Sequence, residues 1–214
     1  MDNTVIQDGV SVSGAAGNSE LINLNPVTGG GRITNITFNG GTRPTRSNLA
    51  GIVLGGLSTS MRLDHCNFSG EFSPQLYNVT IQGSVRGVID HCIFSNNTFN
   101  SAIQFNNGGT YGDTSWSAGS GWGTSDFMFV EDCYFNNTWD AAANAGGLDC
   151  ANGGKYVCRY NIFHNAKANT HGTETGGNNR SCRAIECMTI RLTSIPSVHL
   201  VTIRPDRNYV AVAR

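Results

Sequence analysis

The sequence predicts an all-β fold, a right-handed parallel β-helix of about seven coils. The first basis is a repeated unit, best seen in residues 87–94, which read Gly-Val-Ile-Asp-His-Cys-Ile-Phe. Related units end at four further phenylalanines, so that the five anchors Phe38, Phe68, Phe94, Phe135 and Phe163 are separated by 30, 26, 41 and 28 residues. The second is composition, because charged residues are only 14% of the chain and 27 of its 214 residues are Gly. Stacked parallel sheets with Gly-rich turns have this composition.

The spacing of the units indicates which repeat architecture they build. The units carry no helical stripe, which excludes solenoids of helix pairs, and they lack the Leu and Asn frame of leucine-rich repeats. A coil of three short strands remains, each strand lying about 4.8 Å from its equivalent in the next coil. The residues five positions before each phenylalanine are predicted to point inward: Ile33, Leu63, Ile89, Val130 and Cys158. The residues two positions before it form a ladder inside a bend: Ile36, Cys66, Cys92, Cys133 and Asn161.

The remaining strands of each coil precede the repeated unit. Residues 21–24 are predicted as a strand of an incomplete first coil, and Ile52–Leu54, 79–81 and 103–105 as the equivalent strands of later coils. Residues 1–30 contain no amphipathic helix of the kind that caps a solenoid, so we expect the chain to be truncated at its beginning. The long step of 41 residues predicts an insertion at 106–126, which contains Trp116 and Trp122. These two indoles are candidate substrate-binding residues, because their faces can stack on sugar rings. The alternative is a compact loop packed on its own aromatic side chains.

The seven cysteines are an odd number, which argues against a complete disulfide framework. Cys66, Cys92 and Cys133 share one repeat position, and their Cβ atoms are expected about 4.8 Å apart, beyond the usual distance for a bridge. We therefore expect three reduced, buried thiols. No Cys-x-x-Cys pair supports a zinc site, and no metal ligands are assigned.

Candidate catalytic residues concentrate between positions 149 and 186. Asp149 and His171 are 22 residues apart, close to one coil, so neighbouring strands are expected to carry them. The catalytic candidates are Asp149, His171, Glu174, Arg180 and Arg183, and Lys155 is a further substrate-binding candidate.

Four segments resemble a largely uncharacterised group of right-handed β-helix proteins in the pectin lyase-like class. They are Val130-Glu131-Asp132, Gly153-Gly154-Lys155-Tyr156-Val157, His171-Gly172-Thr173-Glu174 and Arg180-Ser181-Cys182-Arg183-Ala184-Ile185-Glu186. Similar sequences tend to have Arg-Gly-x-Arg at the last of these, and this chain keeps both arginines. The resemblance implies the fold for residues 20–186. Its class contains polysaccharide lyases, glycoside hydrolases, epimerases, phage tailspikes and non-catalytic surface proteins.

Two hypotheses of different class follow from this resemblance: a carbohydrate-active enzyme, either lyase or hydrolase, and a non-catalytic solenoid. A polysaccharide lyase needs a base and a cation that neutralises the uronate carboxylate, for which Lys155, His171, Arg180 and Arg183 are candidates. No cofactor is expected, except that a lyase can use Ca²⁺. A glycoside hydrolase needs two carboxylates, for which Asp149 and Glu174 are candidates. The alternative is a non-catalytic structural or glycan-binding solenoid, like an adhesin or tailspike, in which the acidic and arginine side chains tie the coils together.

Charge and hydropathy exclude several partners. The net charge of −1 gives no electrostatic argument for nucleic acid or an anionic membrane, and no apolar run is long enough to span a bilayer. The expected partner is a polysaccharide or cell-surface glycan, and both a monomer and a trimer remain open. We expect a secreted or cell-surface protein, although Met1-Asp2-Asn3-Thr4 does not open a signal peptide.

The repeat pattern stops after Glu186. Residues 187–192 can be encoded by TGT ATG ACA ATA CGT TTG, which in another frame reads Tyr-Asp-Asn-Thr-Phe, the missing unit. We therefore divide the chain into a β-helix at 1–186 and an out-of-frame tail at 187–214, with an authentic divergent tail as the alternative.

Overall fold

The protein folds as a parallel β-solenoid, in which three sheets wrap one apolar core. The computed structural model describes residues 4–7, 20–40, 51–69, 77–95, 101–107, 121–136, 146–170 and 182–193. Within these ranges the regular structure is strand without helix, and the paired strands run parallel. The predicted all-β parallel β-helix is confirmed.

The chain passes through sheets B, C and A in turn, and each strand pairs with its equivalent in the next coil. Sheet A contains β1 (Thr4–Gln7), β4 (Ile36–Asn39), β7 (Asn67–Ser69), β10 (Ile93–Ser95), β13 (Tyr134–Asn136), β16 (Ile162–His164) and β18 (Arg191–Thr193). Sheet B contains β2 (Ile22–Leu24), β5 (Ile52–Leu54), β8 (Val79–Gln82), β11 (Ile103–Asn106) and β14 (Leu148–Cys150). Sheet C contains β3 (Arg32–Thr34), β6 (Met61–Asp64), β9 (Gly87–Asp90), β12 (Met128–Glu131), β15 (Lys155–Arg159) and β17 (Ala184–Met188). The described coils therefore contribute seven, five and six strands to the three sheets, where the sequence predicts about seven coils.

One or two residues join sheet C to sheet A in each described coil, and the first of them always has a positive φ. The φ angles are 57° at Asn35, 53° at His65, 52° at His91, 51° at Asp132, 60° at Tyr160 and 45° at Thr189. This left-handed conformation turns the chain sharply, so that a strand of sheet A begins one or two residues later. We call this position the corner, and its side chains form a row along the solenoid.

The phenylalanines form a continuous stack inside sheet A. Neighbouring ring centroids lie 5.0, 4.7, 5.0 and 4.7 Å apart from Phe38 through Phe68, Phe94 and Phe135 to Phe163. The five rings are fully buried, and the residues predicted to point inward from sheet C belong to the same core. The core is continuous from coil to coil because the registers place each ring on its equivalent.

The ladder inside the corner is confirmed. Cys66, Cys92 and Cys133 are buried, free thiols. Asn161 continues the ladder and satisfies two backbone groups, because its Nδ2 donates to the Val130 carbonyl at 2.8 Å and its Oδ1 accepts from the Cys133 amide at 2.9 Å. An amide can therefore replace a thiol in this row without leaving its polar atoms unsatisfied.

One disulfide was missed by the sequence reasoning. Cys150 at the end of β14 is bonded to Cys182, whose Cα atom lies 4.9 Å away. These two residues do not share a repeat position, so the spacing argument used for the ladder cysteines does not apply to them. The bond ties the turn before β15 to the segment before β17.

The strands continue beyond Glu186, where the sequence pattern predicts that they stop. β17 extends to Met188, and β18 pairs with β16 so that Leu192 lies opposite Phe163. Parallel strands are held by main-chain hydrogen bonds, which tolerate the loss of the side-chain pattern. Residues 194–214 lie outside the described residues, and the separate tail remains a prediction.

A ladder of ion pairs ties neighbouring coils together on the outer side of sheet C. Arg32 donates from Nε and a terminal nitrogen to the two Asp64 oxygens, both at 2.8 Å. Arg62 lies 3.3 Å from Asp64 and 2.9 Å from Asp90. The Asp64 side chain is fully buried, and its hydrogen bonds, chiefly with Arg32, hold its pKa well below the usual range.

We predict that Asp64→Asn destabilises the protein less as the pH falls. A carboxyl group with a depressed folded-state pKa stabilises the fold above its unfolded pKa, and this contribution is lost on acidification. In urea unfolding, the free energies of unfolding of wild type and Asp64→Asn should therefore become equal as the pH falls from about 5 to about 2. Asp132→Asn, at an exposed corner, is the control. A difference between wild type and Asp64→Asn that is independent of pH would contradict the prediction.

We predict that Phe94→Ala lowers the free energy of unfolding by about 3–5 kcal/mol, because it leaves a cavity between two stacked rings. Urea denaturation measures the change. The matched control is Ile93→Ala on the same strand, whose side chain is 45% exposed, and it should cost less than about 0.5 kcal/mol. If the two variants lose equal amounts of unfolding free energy, the phenylalanine stack is not what stabilises the core.

Candidate functional site

The outer face of sheet C carries a second apolar cluster, separate from the core. Phe127, Val157 and Ala184 are buried there, and Phe129 packs against them. The strand registers place Phe127 beside Lys155, and Val157 lies opposite both Phe129 and Glu186. Buried apolar side chains on an outward face require a cover.

The described end of the predicted insertion, residues 121–126, supplies part of this cover. The Trp122 ring centroid lies 6.0 Å from that of Phe127, and the Gly123 amide donates to Glu186 Oε1 at 3.1 Å. Trp122 nevertheless keeps 43% of its surface exposed. The predicted binding residue Trp122 is therefore held at the surface by apolar contact, which leaves part of its indole open to a ligand. Trp116 lies outside the described residues.

Lys155 contacts the same Phe127 ring as Trp122 and lies within electrostatic range of Arg86 and Arg183; we call these three cations the cationic edge. Lys155 Nζ lies 5.1 Å from the Phe127 ring centroid. Burial lowers the pKa of Lys155, the positive charges of Arg183 and Arg86 lower it further, and Asp126 opposes them. Arg86 is also paired with Asp126, at 2.8 Å.

The structure thus brings together Trp122, Lys155 and Arg183 from the predicted set. Arg86 and Phe127 were missed, although a signal was available. Each stands eight residues before a stacked phenylalanine, as Lys155 does, so that counting back from the repeat would have placed them in one row. His171, Glu174 and Arg180 lie outside the described residues.

Asp149 belongs to a different face. Its neighbours Leu148 and Cys150 point into the core, so its side chain lies on the outer side of sheet B, where it is only 3% exposed. Tyr77 donates its hydroxyl to Asp149 Oδ2 at 3.1 Å, and the same hydroxyl accepts from Gln104 Nε2 at 2.8 Å. Asp149 is therefore part of a buried polar network on sheet B, whereas Lys155 lies on sheet C.

Metal ligation and similarity to known proteins add no assignment. In the described ranges, no group of three or more His, Cys, Asp or Glu side chains is placed to hold a metal ion. No described helix is long and apolar enough to cross a bilayer. No protein-family model matches the chain, and comparisons with curated proteins and with solved structures give no significant match.

We predict that Tyr77→Phe lowers the free energy of unfolding by about 1–3 kcal/mol, because the buried Asp149 carboxylate loses a hydroxyl donor. Chemical denaturation provides the measurement. Tyr134→Phe, which removes the same hydroxyl from a 37% exposed side chain, should have little effect. If the two variants are equally stable, the Tyr77 hydroxyl does not support Asp149.

Proposed function

We propose that the protein binds an acidic polysaccharide on the outer face of sheet C and cleaves it as a lyase of the pectin lyase-like class. The observation that carries this proposal is the partly exposed Trp122 indole beside the cationic edge. An aromatic face and several cations match a polymer of uronate sugars, which presents apolar ring faces and regularly spaced carboxylates.

Recognition follows from where the cations stand along the solenoid. Arg86 precedes β9, Lys155 opens β15 and Arg183 precedes β17, so the cationic edge spans four coils, with Phe127 in place of a cation before β12. Equivalent strands of neighbouring coils lie about 4.8 Å apart, so cations spread over four coils face an extended polymer rather than a single sugar. Arginine is suited to this task because its guanidinium binds a carboxylate through two parallel hydrogen bonds.

The lyase chemistry rests on Lys155 and Arg183. The lowered pKa of Lys155 raises the neutral fraction of its amine, which is the form that accepts a proton. In β-elimination the amine takes the proton on the carbon next to the uronate carboxylate, a carbon–carbon double bond forms, and the bond to the glycosidic oxygen breaks. Arg183 stabilises the charge that develops on the carboxylate. The leaving oxygen is protonated as the chain separates.

A non-catalytic glycan-binding solenoid is the second candidate, and the ladder of Arg32, Asp64, Arg62 and Asp90 favours it. These side chains form ion pairs between neighbouring coils. In a chain with only 14% charged residues, much of the charge then serves to hold the coils together. Such a protein binds the polymer along the same face without turnover.

A polysaccharide screen tests the proposal. We expect the protein to release products that absorb in the ultraviolet from uronate polymers but not from neutral glucans. Arg183→Gln and Lys155→Gln should each weaken affinity for the polymer about tenfold, as expected for the loss of one charge-assisted contact, and Lys155→Gln should also abolish turnover. The control is Arg191→Gln, which removes an equal charge from an exposed position on sheet A.

The products distinguish the alternatives. New reducing ends without ultraviolet absorbance contradict elimination and indicate hydrolysis. Binding that is sensitive to Arg183→Gln without any product supports the non-catalytic solenoid. Equal losses in Arg191→Gln and Arg183→Gln would show that only overall charge matters, and the proposed site would be wrong.

A further inference from the structure

Two histidines at successive corners stack on each other outside the cationic edge. The imidazole centroids of His65 and His91 lie 4.9 Å apart, and the ring planes differ by 4°. Both residues have a positive φ, and their side chains are 51% and 53% exposed. Their rings therefore stand at the surface, side by side and aligned, and nothing in the proposed polysaccharide chemistry uses them.

Each imidazole is oriented by a buried carboxylate. Nδ1 of His65 lies 3.0 Å from Asp64 Oδ2, and Nδ1 of His91 lies 3.0 Å from Asp90 Oδ2. An ionised carboxylate only accepts hydrogen bonds, so Nδ1 of a neutral imidazole carries the proton in this contact. The lone pair is then on Nε2, on the far side of the ring from the carboxylate. Metal-binding histidines are oriented by carboxylates in this way, which fixes the tautomer and raises the basicity of the ligand.

The charges around the two rings do not repel a cation. The guanidinium groups of Arg32 and Arg62 are paired with Asp64 and Asp90. The next corner residue, Asp132, is exposed and anionic. Beyond it, Arg159 donates to Glu131 at 2.7 Å, so its charge is also paired.

We propose that His65 and His91 form a site for a borderline divalent metal ion, such as Zn²⁺ or Ni²⁺, bound by their two Nε2 atoms. Water completes the coordination shell, because no third described side chain of metal-binding type is placed to join them. Metal–imidazole bonds of about 2.0–2.1 Å require the two nitrogens to lie roughly 3 Å apart, with their lone pairs directed at one ion. The nearly parallel rings, whose centroids lie 4.9 Å apart, therefore turn toward each other and leave their face-to-face stack when the ion binds, and their exposure leaves room for this movement.

The ligand type defines which ions bind. Neutral imidazole suits Zn²⁺, Ni²⁺ and Cu²⁺, whereas Ca²⁺ and Mg²⁺ prefer oxygen ligands. The site is therefore distinct from a calcium ion that assists a lyase. It also lies at the opposite end of the sheet C strands from Lys155, so its test is independent of polysaccharide binding.

Isothermal titration of the untagged full chain with Ni²⁺, repeated with Zn²⁺, tests the proposal. The informative variants are His65→Asn and His91→Asn, because Asn35 occupies the same corner position in an earlier coil and adopts the same backbone conformation. Each should weaken binding at least about tenfold, since one of two ligands is lost. His164→Asn, on sheet A, should leave the affinity within about twofold, and the thermal midpoint of each variant shows that the fold is kept.

A second variant tests the role of the carboxylate. Asp90→Asn keeps both imidazoles but removes the anion that orients His91, and it should weaken metal binding about tenfold or more. Mg²⁺ should give no saturable heat with any of the proteins. The proposal is overturned if wild type shows no saturable Ni²⁺ or Zn²⁺ binding, or if His65→Asn and His91→Asn bind as tightly as wild type.

Discussion

The parallel, in-register stacking of coils is the constraint on which the rest of this structure depends. Each strand pairs with its own equivalent one coil away, so every side chain meets a neighbour from the same repeat position. In the core this places Phe94 between Phe68 and Phe135, with well-aligned rings. Apolar side chains benefit from this arrangement because each coil buries the next. No coil has a core of its own, and stability is shared along the axis.

The same constraint governs charge. Stacking places like charges side by side, and buried carboxylates in one row would repel each other. Asp64 and Asp90 are such a pair, and the diagonal ion pairs offset their repulsion, because Arg32 binds Asp64 and Arg62 binds Asp90 from two positions earlier in the neighbouring strand.

The two proposed sites lie where the regular stack opens, one at each end of the sheet C strands. At the end where these strands begin, an insertion adds new surface, and Trp122 packs there beside Lys155. At the end where they finish, the left-handed corner directs one side chain per coil into solvent, and His65 stacks on His91. The first end joins an indole to cations and suits an acidic sugar polymer. The second places two exposed imidazoles side by side, where we propose a metal ion.

The sequence by itself determined the repeat, and with it the strands, the phenylalanine stack and the buried thiol of Cys92, because these depend only on position within the unit. The tertiary structure decided what the repeat does not encode. Tyr77 meets Asp149 across 72 residues, and Cys150 meets Cys182, because the path of the chain between coils sets both contacts. The strands beyond Glu186 also form without the side-chain pattern. Parallel strands pair through their backbones, so an existing stack can order a segment whose side chains do not follow the repeat pattern.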